Sequence, residues 1–542
     1  MDTTTLNLIR DRWIPVVDDS GASAYISPSQ LVECGDRVGA SALNAPRPDL
    51  NGALIQFLIG IVQTSHMPDD EDDWVDQFDT PPSSEDLDRS FHAHHEAFNL
   101  AGPGPRFMQD PTATDGREQI IDSLFIGMPG ENTLKNNIDF FLKRNSIQGI
   151  CPRCAAMGLL SLQVNGPAGG AGHRTGLRGG GPLTTIVLGR NLWETVWLNV
   201  LSRDDFYRNI SPTEHSEVHD IFPWMGPLRT SEGGSSGLRT STSDANLLQM
   251  FWPMSQRIYL NFDGCETGVC DVCGDGTDVL IRSLYKRPAG VWYDESWRHT
   301  LTPYYENKGD KLPVHCNPGG ITYRDWLGIV QTDKEHGREI ARVVAKFHYR
   351  VKDIESLDEM RVWAFGFDLD QVKARCWYDS TMPVIAVPED VRERFARSAA
   401  QIVKAANYIA LAVHRQVKEG LYKSEGGQGS IPKSKKADVT VVKHRFWKET
   451  ERLFYDTLDR IHHTLESGED LRPLKEEWVR EVRDQALKLF DFYAQTEYVD
   501  AHRPKRIVAA RKKLLKTISP GSPKLAATLQ LEKKSGKQEV SH

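Results

Sequence analysis

The chain has 542 residues, 39% of them hydrophobic and 13 of them Trp, so a real core is expected and a disordered chain is excluded. Eight Cys are too few for a secreted disulfide scaffold, no apolar run reaches membrane-spanning length, and the N-terminal Met-Asp-Thr-Thr-Thr is no secretory leader; a soluble, cytoplasmic protein of two or more domains is expected, with no membrane partner. The net charge of −8 does not exclude nucleic acid, because Asp69 to Asp79 holds seven acids while residues 501–542 hold eleven Lys or Arg against two Glu.

In chain order, residues 6–18 read as two short strands around a turn. Residues 50–65 read as a buried helix, with Leu54, Ile55, Leu58, Ile59 and Val62 at helical spacing. Residues 101–150, rich in Gly, Pro and Asn, suggest a long loop. Residues 165–183 carry eight Gly, too many for a helix or a regular strand. Strands are expected at 184–190 and 256–262, a helix at 192–202, and a mobile Ser/Gly/Thr-rich loop at 230–245. After Pro388 the pattern becomes helical. Phe395, Ala399, Ile402, Val403, Ala406, Ile409, Ala410 and Val413 follow a 3.6-residue period. Further amphipathic helices are expected near 438–466, 474–495 and 503–517, with a polar linker at 423–436. The expected fold class is therefore α+β: a large irregular domain over 1–387, then a four-helix bundle over 388–542 ending in a basic tail. The last helix has a basic face that includes Arg506 and Lys513. A solvated terminus would look similar.

Two Cys-x-x-Cys pairs, Cys151/Cys154 and Cys270/Cys273, each place two thiolates on one tight turn. Together they predict a closed, structural four-thiolate zinc site that ties together segments far apart in sequence, with Cys265 as a substitute ligand. The glycine-rich stretch supports two readings. Gly169, Gly170 and Gly172 could let backbone N–H groups approach a phosphate or base edge, with His173, Arg174 and Arg178 adding donors. Alternatively the glycines only avoid clashes in a packed loop. Gly233-Gly-Ser-Ser-Gly237 matches a nucleophile elbow but lacks the flanking strand and helix, and His215-Ser-Glu-Val-His219 lacks the His-Glu-x-x-His register. No phosphate-binding Gly-x4-Gly-Lys-Ser/Thr loop occurs, and no catalytic set assembles. A binding protein is expected rather than an enzyme, with a zinc-stabilised DNA nuclease or hydrolase as the alternative and a purely structural zinc scaffold as a third class.

Several stretches carry a resemblance: Asn7-Leu-Ile-Arg-Asp-Arg-Trp-Ile-Pro15, Pro105-Arg-Phe-Met-Gln109, the two Cys pairs, Gly172-His-Arg-Thr-Gly-Leu-Arg-Gly-Gly180 and Leu188-Gly-Arg-Asn-Leu. Over essentially its whole length the chain resembles the CasA family, the large subunit of the type I-E CRISPR Cascade complex. The resemblance implies a subunit that works with crRNA-containing Cascade subunits. It would recognise the protospacer-adjacent motif (PAM) on double-stranded target DNA, help open the duplex, and recruit a helicase–nuclease. It also implies site residues. The glycine loop looks like Ala168 to Gly172, with Ala171 departing from an all-Gly centre. The wedge that splits the first base pair looks like Gln371. The loop reaching crRNA and PAM carries Phe140, Phe141, Lys143 and Arg144. Lys286 and Arg287 are candidates for the lysine finger, although simple spacing places Pro288 there.

Overall fold

The structure, a computed structural model, describes residues 6–18, 20–34, 42–128, 143–168, 172–208, 215–350, 360–370, 372–385, 387–422, 439–494 and 504–531. The chain divides into two compact units, Met1–Gly320 with Glu339–Thr381, and Ile321–Arg338 with Met382–His542. The second unit thus includes a segment, 321–338, that lies well before an expected boundary at 387.

The first unit is mixed α and β. It is organised around the helix Pro48–Ser65 (α1), which starts with Pro at its first turn and is apolar on nearly every side, so it is buried rather than amphipathic. Phe57 sits at its centre with ring centroids 5.1 Å from Trp13, 5.8 Å from Trp252, 5.9 Å from Phe98 and 6.1 Å from Phe107, all edge-on. Truncating such a residue to Ala costs about 3–5 kcal/mol. Polar groups on α1 are matched to backbone: Gln63 donates to the Leu201 carbonyl and accepts the Leu201 N–H, both at 2.8 Å.

The acidic run after α1 forms the helix Glu71–Asp79 (α2), where Asp70 caps the N-terminus and Glu71, Asp72 and Asp73 face the positive end of the helix dipole. Buried Arg350 places its guanidinium 3.6 Å over the Trp74 ring and donates to Glu71 at 2.8 Å. Glu71 is therefore held locally by Arg350 and Lys346, while Asp72, Asp76 and Asp79 are exposed.

The sheets are small. Ile14–Val17 (β1) pairs antiparallel with Ser23–Ile26 (β2). Ser283–Arg287 lies between Arg117–Ile120 and Arg257–Asn261, antiparallel to both. Thr184–Leu188 pairs with Arg361–Asp370, which in turn neighbours Lys373–Pro383. Two expectations shift. Residues 7–11 form a turn, not a strand, because Asn7 Oδ1 accepts the N–H groups of Ile9 and Arg10. The helix expected over 192–202 is limited to Leu192–Trp197, because the Asn199 amide bonds both the N–H and the carbonyl of Val187.

The second unit is helical around Glu389–Tyr422, whose buried stripe runs through Phe395, Ala399, Ile402, Ala406, Ile409 and Val413. Five further segments among the described residues pack on it: Thr440–Glu449, Glu451–Glu466, Arg472–Ala494, Pro504–Thr517 and Pro523–Leu529. The span expected as one helix over 438–466 is thus broken at Thr450. Tyr323 stacks on Phe454 at 4.4 Å and shares a hydrogen bond with the Thr450 hydroxyl at 2.8 Å, which is how the 321–338 segment joins this unit.

Candidate metal centre and nucleic-acid loops

Cys151 is the N-cap of the helix Pro152–Asn165, and its Sγ accepts the Cys154 N–H. The cap geometry therefore sets both thiols at one helix end. Cys270 follows the strand Glu266–Val269, and its turn closes through Gly274 N–H to Cys270 O, just before the strand Gly276–Leu280. The two turns are joined by main chain. Ile150 and Ile281 exchange both hydrogen bonds, at 3.0 and 2.8 Å. Asp271 N–H donates to Gly149 O, and the Asp271 carboxylate accepts the N–H groups of Gln148 and Gly149 at 2.7 and 2.9 Å.

The four Sγ atoms consequently lie within 4.8 Å of one another, with Cys151 and Cys273 3.8 Å apart. A tetrahedral site with metal–sulfur bonds near 2.3 Å requires sulfur separations of about 3.8 Å. Three of the cysteines are buried and Cys273 is half-buried. Cys154 is pushed far up by its hydrogen bonds to Cys151, Cys270 and Cys273, and Cys270 is pulled down by its bonds to Cys151 and Cys154. Four thiols this close cannot all ionise on their own charge, and a divalent cation at the centre removes that conflict. The residues fit a metal ion. Cys265 stands apart, with its thiol directed to Asn261 O, and is not one of the set.

Outside this quartet, Arg153 pairs with Asp275 at 3.0 Å and lies 4.1 Å over the Tyr25 ring. Neither Asp271, Asp275 nor Tyr25 was marked by sequence reasoning. The only local signal is that Asp271 lies inside the second Cys pair and Asp275 two residues after it.

In the glycine-rich segment, residues 169–171 lie outside the described residues. The later glycines are packing positions: a Cβ at Gly180 would come 2.9 Å from Pro167 Cα, and one at Gly181 2.9 Å from the Phe367 carbonyl. Arg174 and Arg178, expected as donors to nucleic acid, turn inward instead. Arg178 is buried and donates to the Thr184 and Thr302 hydroxyls and to Gln56 Oε1, and burial pushes it down to about 10. Gly172 is described, with φ +81° and its carbonyl accepting Ala289 N–H at 2.8 Å.

Lys286 is not at a loop tip. It lies in the middle strand of its sheet, opposite Arg117 and Ile258, half-buried, and burial lowers its amine to about 8. It is close enough to His173 to add to the burial that lowers that imidazole to about 4. Arg287 pairs with Asp115 and Glu232, both at 3.4 Å.

Phe140, Phe141 and Gln371 lie outside the described residues. Lys143 and Arg144 are exposed, and the turn they open ends on Gln148 and Gly149, which Asp271 holds. In the second unit, Arg506 donates to the carbonyls of Gly420 and Leu421, capping the end of the long helix, and Lys513 pairs with Glu419 at 3.0 Å. Lys505, Lys512 and Lys516 on the same helix are exposed. His215 and His219 lie 3.6 and 3.8 Å from Asp220 without joining a metal-ligand group among the described residues. The 233–237 stretch is a short turn with no strand before it, unlike a nucleophile elbow. No helix among the described residues is long and apolar enough to cross a membrane.

Solved structures share this architecture. CasA from Thermus thermophilus superposes with a TM-score of 0.68 at 17% identity, covering 95% of this chain and 99% of its own. Cse1 from Acidimicrobium ferrooxidans gives 0.67 at 16%, covering 98% and 99%. A chain of a structure described as a CRISPR RNA-guided surveillance complex gives 0.65 at 18%, covering 94% and 100%. At these identities the likeness concerns the fold. The family model for CRISPR-associated protein Cse1 matches residues 7–489, which is most of the 542, and the chain belongs to that family.

Proposed function

We propose that this chain is the non-catalytic large subunit of a crRNA-guided, Cascade-type surveillance complex. In that role it recognises the PAM on double-stranded DNA, helps destabilise the duplex for R-loop formation, and recruits the helicase–nuclease. The observation that carries this reading is the family match over 7–489, supported by full-length fold similarity to a chain of a CRISPR RNA-guided surveillance complex. Guide pairing reads the target, so the protein needs to read only a short flanking motif and supply backbone contacts. No catalytic step is assigned to it.

The residues take these roles in the proposal. Cys151, Cys154, Cys270 and Cys273 hold one zinc ion, which fixes the base of the loop carrying Phe140, Phe141, Lys143 and Arg144 beside crRNA and PAM. Gly169, Gly170, Ala171 and Gly172 approach the motif in the minor groove, and Gln371 serves as the wedge. Lys286 acts from the sheet beside His173 as a half-buried cation. The domain over 388–542 works as a four-helix bundle, and its basic face around Arg506 and Lys513 lies along DNA backbone, with the exposed Lys505, Lys512 and Lys516 making the contacts.

The deciding experiment co-expresses the chain with crRNA-bearing partner subunits. Co-purification in a fixed ratio and motif-dependent R-loop formation on duplex DNA are expected. A partner complex that forms R-loops with the same rate and motif preference without this chain would overturn the proposal.

A further inference from the structure

Where Gly172 enters the described structure, it is held against a neighbouring turn. Its carbonyl accepts the N–H of Ala289, and Ala289 has φ +65°, a left-handed conformation disfavoured for a residue with a Cβ. That turn is held from several directions. Arg257 donates to Pro288 O at 3.3 Å, Ser231 N–H to Ala289 O at 3.1 Å, and Ser231 Oγ to Gly290 O at 2.7 Å. A Cβ at Gly172 would come 3.2 Å from Pro288 Cβ, so the glycine and the turn are in direct contact.

Arg174, two residues on, ties the other side. Its guanidinium lies 3.9 Å over the Trp292 ring and donates to Ser231 Oγ at 2.8 Å, Ser231 O at 3.3 Å and Gly234 O at 2.9 Å. Arg239 covers the same ring at 4.4 Å, and the Trp292 carbonyl accepts Thr240 N–H at 2.8 Å. One arginine and one tryptophan thus reinforce the hydrogen bonds among three stretches distant in sequence: the residues after Gly172, the 231–240 loop, and the Pro288–Trp292 turn.

We propose that Arg174 and Trp292 are positioning residues for motif reading: they set the backbone of Gly172 against the Ala289 turn without touching DNA. The inference rests on the reading of Gly172 as part of the motif-contacting loop. It differs from the expectation that Arg174 donates to nucleic acid directly, because its Nε and Nη2 donors are committed to Ser231 and Gly234. A lysine cannot reproduce the arrangement, since a guanidinium stacks flat and forks to several acceptors while an ammonium does neither.

The test uses the assembled crRNA complex with duplex targets carrying a randomised flanking trinucleotide, and with one target already unpaired beside the motif. The readout is the affinity ratio between the best and worst flanks. Arg174→Ala and Trp292→Ala are expected to reduce that ratio on the order of tenfold while leaving the pre-opened target within about twofold. Trp292→Phe keeps a ring under the guanidinium and should retain most of the preference, whereas Arg174→Lys should not. Gly172→Val is the companion variant. If it abolishes preference while Arg174→Ala and Trp292→Ala leave it intact, the positioning role is wrong and the loop reading stands. If Gly172→Val leaves preference unchanged, the loop reading itself fails. Equal weakening on every target with a lowered melting temperature, Trp292→Phe behaving like Trp292→Ala, would reduce the clamp to fold maintenance and overturn the inference.

Discussion

Removing the metal should loosen the junction between residues 148–154 and 270–281 without unfolding the first unit. Five hydrogen bonds hold that junction independently of any ion: two between Ile150 and Ile281, one from Asp271 N–H to Gly149 O, and two from Gln148 and Gly149 N–H to the Asp271 carboxylate. At about 1 kcal/mol each they contribute roughly 5 kcal/mol. A zinc-finger peptide, which has no such second attachment, gains about 10–16 kcal/mol from its ion and is unfolded without it. In the proposed zinc site the ion and the main chain would share the task. Cys154→Ser is therefore expected to cost about 2–5 kcal/mol, in the range for losing a structural cross-link. The loss should be local. Amide exchange should accelerate at Gln148 to Ile150 and at Asp271 to Ile281, while amides in the Pro48–Ser65 helix stay protected. Elemental analysis should find one zinc per chain, and a strong chelator should reproduce the Cys154→Ser exchange pattern. Asp271→Ala in the chelated protein should then remove two of the five remaining hydrogen bonds and accelerate exchange at Gln148 and Gly149 further. Identical exchange with and without chelator, or a pure protein without stoichiometric metal, would refute the reasoning.

Gln371→Ala should slow R-loop formation on intact duplex by about the few kcal/mol that unstacking a base step costs, and should have little effect on targets already unpaired at the seed; equal defects on both targets would count against the wedge. On the last long helix, Lys505→Glu with Lys512→Glu and Lys516→Glu should weaken binding for every motif alike and flatten its salt dependence, as measured by affinity across a salt series. Arg506→Ala should instead lower the thermal stability of the helical unit by about 1–3 kcal/mol through the two carbonyls it caps, and a pure binding defect with unchanged melting would contradict the capping geometry. Lys286 gives a pH prediction. Its amine titrates at about 8 in the fold against an ordinary 10.5. The unfolded chain therefore binds more protons between these values, and this residue's contribution to stability rises as pH increases through that window. Lys286→Met should stabilise the protein at pH 7, with the advantage fading toward pH 10.5 in denaturant titrations; an advantage independent of pH would exclude a buried-charge origin.

The second unit was the most legible because its helices are long and each buries one stripe. Phe395 to Val413 could be placed by period alone. The break at Thr450 and the inclusion of 321–338 could not. Both depend on Tyr323 reaching Thr450 and Phe454 across more than a hundred residues of sequence, a tertiary contact that leaves no local pattern. The metal quartet was legible for the opposite reason, since Cys-x-x-Cys spacing is a covalent constraint on where two thiols can go. Its partner Asp271 was not, because a carboxylate inside a turn reads as ordinary turn chemistry until Gln148 and Gly149 are seen to donate to it. The glycine-rich stretch could not be read either way from composition. Glycines that avoid clashes with Pro167 and Phe367 have the same composition as glycines that admit a ligand.

The small sheets of the first unit raise the question of what holds its long connections in place, and the structure answers with arginines. Arg350 joins Glu71, the Trp74 ring and the Val200 carbonyl. Arg257 joins Asp110 at 2.6 Å, Glu232 at 2.9 Å, Thr112 and Pro288. Arg178 joins Gln56 of the central helix to Thr184 and Thr302, and Arg174 joins Ser231, Gly234 and Trp292. Each guanidinium gathers acceptors from stretches with no sheet or helix in common, which a planar five-donor group can do and a lysine cannot. The cost differs among them. Arg257 and Arg350 have carboxylate partners, whereas Arg178 is buried among neutral acceptors and its charge is the less compensated. Arg178→Met should consequently be tolerated better than its burial suggests, because it removes a desolvated charge along with three hydrogen bonds. Arg257→Met should be severe, because it strands Asp110, which is 4% exposed, without its cation. Urea melts of the two variants compare the terms directly. Equal destabilisation would mean that the hydrogen-bonded geometry, and not the balance of buried charge, governs both positions.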